Sequence, residues 1–122
     1  MATDRKKLLL RLDPAVHDAL AAGRSVPVTP VSIADGLSGP FAGEHALATI
    51  QAHGVQSLLV SEEEIEEAFR FLYERAKLAC EPAAAVGVAA ILAGKAGDGP
   101  MAAVVSGGNV ATETASAILA RR

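Results

Sequence analysis

The chain has 122 residues, enough for one domain or a piece of one. Apolar residues make up 51 % and aromatics only 3 %, so any core is built from Ala, Val, Leu and Ile. A net charge of −3 without a long basic run argues against nucleic acid as a partner, the lone Cys80 excludes an internal disulfide and suits a reducing compartment, and no apolar stretch approaches the ~18 residues of a membrane span.

After a basic start come only three leucines, Leu8 to Leu10, too few for the apolar region of a signal peptide, so a soluble cytoplasmic protein is expected. Residues 5–12 can form a strand. Asp13-Pro14 reads as a helix start: Asp13 can cap the first free amides, and Pro14 at the first helical position forfeits no hydrogen bond. This helix is expected to reach Ala22 and stop at Gly23. Residues 26–30 are extended, because Pro27 and Pro30 exclude a helix. Residues 32–43 hold three glycines, Pro40 and Asp35, the composition of a loop that carries function. Residues 44–53 are helical, with Ala46, Leu47, Ile50 and Phe41 on one side, and Gly54 ends them.

Residues 56–60 form a short strand. Ser61 and Glu64 then make a capping box, and Glu62, Glu63 and Glu64 suit the positive end of a helix dipole. Ile65, Ala68, Phe69, Leu72, Ala76 and Ala79 recur at helical spacing and are expected to face the core. Glu81-Pro82 breaks this helix, and an almost wholly apolar one follows over residues 83–93. A glycine turn over residues 95–100 leads to a strand at 102–105 and a last helix at 112–120. Strands alternating with helices predict an α/β fold with a small parallel sheet of three or four strands. A parallel sheet needs both faces covered, so a sheet this small belongs to something larger.

The apolar run Ala102-Ala103-Val104-Val105 ends in Ser106-Gly107-Gly108-Asn109 before a helix. That is the layout of a buried strand opening onto a ligand crevice, or simply of a tight strand-to-helix turn. Asp35, Glu44 and Glu81 are acids beside glycine or proline. Glu81, among Ala79, Cys80 and Ala83 to Ala85, is expected to be partly buried and to need a partner or a raised pKa. His17, His45 and His53 lack metal-pair spacing, and Cys80 reads as a small buried hydrophobe.

Seven blocks in order carry a resemblance: Ala21-Ala22-Gly23-Arg24, Val31-Ser32-Ile33-Ala34-Asp35-Gly36-Leu37, Phe41-Ala42-Gly43-Glu44, Val60-Ser61-Glu62-Glu63-Glu64-Ile65, Glu74-Arg75-Ala76-Lys77-Leu78, Glu81-Pro82-Ala83 and Val105-Ser106-Gly107-Gly108-Asn109-Val110. Together they resemble the C-terminal portion of the pyridoxal-phosphate-dependent threonine and serine dehydratases, with serine racemase, of the tryptophan-synthase-β-like fold. The resemblance covers residues 18–122 and implies a partial α/β domain of an ammonia-lyase with pyridoxal 5'-phosphate as cofactor and a small hydroxy amino acid as substrate. Ser106 matches the serine that hydrogen-bonds the cofactor's pyridine nitrogen and keeps it largely unprotonated. Gly107 adjoins it, and Gly36 in the 32–36 segment and Glu81 match positions lining the same cavity. The family's Schiff-base lysine motif, of Ser-x-Lys-x-Arg-Gly type, and its phosphate-cradling glycines have no match here; Lys6, Lys7, Lys77 and Lys95 sit in other contexts.

Residues 1–17 depart from the family and resemble the start of ribbon-helix-helix antitoxins, or supply a strand and helix start in place of the family's preceding unit. Three functions follow: a partial dehydratase-like domain inactive alone; an interaction module that dimerises or completes an N-terminal half; and a DNA-binding regulator through residues 5–12.

Overall fold

The computed structural model describes residues 8–10 and 14–121. The expected cap Asp13 and most of the 5–12 strand lie outside those residues. In chain order the elements are β1 (Leu8–Leu10), α1 (Pro14–Ala22), a 3-10 turn (Asp35–Leu37), α2 (Glu44–Ala52), β2 (Gln56–Leu58), α3 (Glu62–Phe71), a π turn (Leu72–Ala76), α4 (Pro82–Leu92) and α5 (Thr112–Ala120). Gly23 and Gly54 follow α1 and α2 with φ of +70° and +59°, a conformation that stops a helix and that lacks the usual side-chain clash in glycine.

β1 and β2 pair in parallel, with Leu8 opposite Gln56, Leu9 opposite Ser57 and Leu10 opposite Leu58. Among the described residues the sheet has two strands, fewer than the sequence suggests. The difference is the run at 102–105, which forms no ladder with any described residue. Its composition is that of a strand, but a strand exists only with a partner, and composition cannot supply one.

The main core lies between α3 and α4. Ile65, Ala68, Phe69 and Leu72 meet Ala85, Val86, Ala89 and Ala90, with Ala34, Val60, Cys80 and Ile118 closing the edges. Phe69 is fully buried and stacks on Tyr73 with ring centroids 4.5 Å apart. Ala76 and Ala79, expected on this face, are exposed. The π turn inserts extra rotation after Leu72, and Lys77 then adopts a left-handed φ of 58° that ends the helix, so the 3.6-residue period stops there. A second cluster joins Val16 and Ala19 of α1 to Ala42 and Leu47, with Leu20 and Ile50 against it. Phe41 and Ala46 are exposed; Ala42, rather than Phe41, fills the space before α2.

Candidate functional site

Pro82 occupies the first turn of α4, where its missing amide costs nothing, and Glu81 precedes it as the extended cap residue. The Glu81 carbonyl accepts the Ala84 amide at 3.0 Å, but its side chain makes no cap bond and points elsewhere. Its amide donates to the Gly107 carbonyl at 3.0 Å. Its carboxylate lies against the Cα of Gly107, in the volume a Cβ there would need. A Cβ on Gly36 would stand 3.5 Å from the same carboxylate and 3.2 Å from the Ala83 methyl. The structure therefore brings Gly36, Glu81 and Gly107, from three separate segments, into one corner at the start of α4.

Ser106 precedes Gly107, is exposed, and makes no hydrogen bond with any described residue. Glu81 is only partly buried, and its surroundings are the backbones of two glycine turns rather than a cation. Cys80 beside it is fully buried; burial, and then the Glu81 charge, push its thiol pKa up, which leaves it a packing group.

The turn bearing Gly36 is held from several sides. Ser32 Oγ accepts the Ala34 amide at 2.9 Å, and Asp35 Oδ1 accepts the Gly36 amide at 2.8 Å. The Ile33 amide donates to Glu62 Oε2 at 3.0 Å, which ties this loop to the first turn of α3. The sequence shows these acids only as suited to the positive end of a helix dipole; a contact across 29 residues leaves no local signal. The capping box forms as expected, with Ser61 Oγ accepting the Glu64 amide and Glu64 accepting the Ser61 amide. Glu64 Oε2 also takes Lys95 Nζ at 2.6 Å, and Lys95 donates to the Leu59 carbonyl at 3.1 Å. Lys95, then the Ser61 amide, hold the Glu64 carboxyl below its ordinary range. Glu63 is lowered too, by its backbone hydrogen bond first and then by the Ser61 hydroxyl.

A shallow depression lined by Glu67, Arg70, Phe71, Glu74 and Arg75 lies on α3 and the π turn, and neither Ser106 nor any of the three corner residues lines it. Among the described residues no group of three or more metal-ligating side chains gathers. Among the described residues no helix is long and apolar enough to cross a membrane.

Two glycine turns thus meet at the N-terminus of α4, in an α/β chain whose two described strands pair in parallel. Residues 12–107 match the family of pyridoxal-phosphate dependent enzymes, and the chain belongs to that family. It is 38 % identical over 112 residues to the L-threonine ammonia-lyase of Geobacter sulfurreducens, a match covering 88 % of this chain and 28 % of that protein. Among solved structures, T.th. threonine deaminase is similar with a TM-score of 0.81 and 30 % identity, over 91 % of this chain and 39 % of that one. Maize serine racemase is similar with a TM-score of 0.77 and 28 % identity, over 89 % and 36 %. The chain is thus a partial, threonine-dehydratase-like domain of the tryptophan-synthase-β-like class, and it spans under a third of the length of the curated relative it matches.

Proposed function

We propose that this chain supplies one wall of a pyridoxal-phosphate site of the threonine/serine dehydratase kind. The observation that most supports this is the meeting of Gly36, Glu81 and Gly107 beside the unbonded Ser106 hydroxyl. The residues present fit one side of the cofactor: Ser106 offers an exposed hydroxyl with no hydrogen-bond partner among the described residues, beside the turn at Gly107 that the Glu81 carboxylate abuts.

Bound pyridoxal phosphate supplies an electron sink for charge at an amino acid's α-carbon. The chain's own residues act around it. Ser106 Oγ would donate to the ring nitrogen and keep its proton, leaving that nitrogen largely unprotonated. Gly107, the Gly36 turn and the Glu81 carboxylate would line the cavity beside it, where a small hydroxy amino acid would be oriented.

The lysine and the phosphate cradle come from the rest of the complete enzyme. Lys95 is engaged by Glu64 and the Leu59 carbonyl, and Lys77 forms the left-handed end of the π turn. On this reading the chain alone is inactive and works with a complementing lysine-bearing part; the alternative is a non-catalytic interaction module that dimerises. The resemblance assigns residues 18–122 to the dehydratase-like part; the family match reaches back to residue 12, so on this reading only the residues before it stand in place of the family's preceding unit. Pairing of β1 with β2 supports this over a DNA-contacting role for residues 5–12.

The test is addition of pyridoxal phosphate and L-threonine to the pure chain, then to the chain reconstituted with a lysine-bearing part. No steady ketobutyrate release is expected from the chain alone. Release is expected after reconstitution, with Ser106→Ala lowering it by at least about tenfold and shifting the absorbance of bound cofactor. Turnover by the chain alone, or a reconstituted Ser106→Ala form with unchanged rate and spectrum, overturns the reading.

A further inference from the structure

The depression on α3 and the π turn sets charged side chains of both signs around an aromatic one. Phe71 is 41 % exposed. Glu67, Glu74 and Arg75 are exposed too, and among the described residues none of their side chains makes an ion pair or a hydrogen bond. Arg70 differs, because its guanidinium is held by Glu66 at 3.5 Å and by the Ile118 carbonyl at 3.3 Å.

The order of these residues is its own complement. Glu67 stands four residues before Phe71, and Arg75 four residues after it. Both spacings keep a residue on the Phe71 side of a helix. The π turn takes one residue more to close than an α turn. Arg75 is therefore brought back toward the line of Glu67 instead of drifting round the helix. When two such faces meet antiparallel, a two-fold axis level with Phe71 sets each Glu67 against the Arg75 of the other copy. Phe71 then meets Phe71, and Glu74 lies toward the other copy's Arg70. A face whose charges match their own reversed order fits a second copy of itself, as an isologous contact requires.

We propose that this face is a self-association surface, occupied by a second copy of the chain seated antiparallel about a two-fold axis at Phe71. The phenyl pair is its apolar centre, and the two reciprocal Glu67–Arg75 pairs set its register. Exposed ion pairs are individually weak, so the association is transient and loosens with salt. None of these residues lies at the Gly36, Glu81 and Gly107 corner, so the inference stands apart from the proposed cofactor site.

The experiment is sedimentation of the pure chain from about 1 µM to about 1 mM. A monomer–dimer equilibrium is expected, with a dissociation constant that rises between about 50 mM and about 500 mM salt. Glu67→Arg and Arg75→Glu each set like charges against each other in both pairs, and each should raise that constant at least about tenfold. An equimolar mixture of the two variants restores opposite charges in both pairs and should recover association as a heterodimer. The double variant should recover it as a homodimer. Recovery in the mixture also shows that both single variants fold. A monomer at every concentration overturns the proposal, as does a wild-type dimer whose dissociation constant does not rise with salt. Wild-type association by either single variant, or no recovery in the mixture, overturns it equally.

Discussion

The Glu81 amide and the Gly107 carbonyl are joined at 3.0 Å, while the Glu81 carboxylate fills the space a side chain at 107 would take. One contact fixes the two backbones; the other makes residue 107 answerable to the Glu81 side chain.

Gly107→Ala should therefore cost little stability. The colliding group is the far end of a flexible side chain, so the penalty is expected at about 1 kcal/mol. In the reconstituted enzyme the displaced carboxylate should weaken cofactor binding. Glu81→Ala should relieve the collision, so a double-mutant cycle on urea midpoints should give a favourable coupling between the two changes. Simple additivity would show that the carboxylate does not occupy that volume.

The Lys95 ammonium and the Ser61 amide depress the pKa of Glu64 from its ordinary value of 4.5. As pH falls, the unfolded chain takes up this proton first. The stabilisation is whole above the ordinary value and is lost as pH drops through the lowered one. Urea midpoints from about pH 7 to about pH 3 should fall for the wild type and fall less steeply for Glu64→Gln, with the residual slope owed partly to Glu63. Both partners are partly exposed, so the pair is worth no more than about 1 kcal/mol.

Phe69 is the largest fully buried side chain and stacks on Tyr73. Phe69→Ala should cost about 3–5 kcal/mol, a large part of the stability of a chain this size. The loss should appear in the urea midpoint and in the far-ultraviolet signal of α3 and α4 together, because the two helices share one core. A loss under about 1 kcal/mol would mean that the core lies elsewhere.

Local chemistry was legible in the residues. Ser61 and Glu64 announce α3, Pro14 and Gly23 bound α1, and Thr112 to Ala120 is the last helix as expected. Relations across the chain were not. The Ile33–Glu62 and Lys95–Glu64 ties join segments with no shared pattern, and a run of Ala and Val cannot reveal whether a ladder partner exists. The end of the α3 periodicity was hidden because Ala76 and Ala79 keep helical spacing while the backbone departs from it. Glu81 and the turn holding Gly107 stand out from their own segments, and Gly36 was assigned to the same cavity through resemblance. Their meeting at one corner is a fact of the fold that no spacing in the chain implies.

The pairing of Leu8 with Gln56 sets an order of assembly. α3 and α4 are successive helices, so their shared core closes only short loops of chain. Joining β1 to β2 in parallel carries the entropy of a much longer closed loop. When the whole chain refolds, the α3–α4 core is therefore expected to form first and the strand pairing after it.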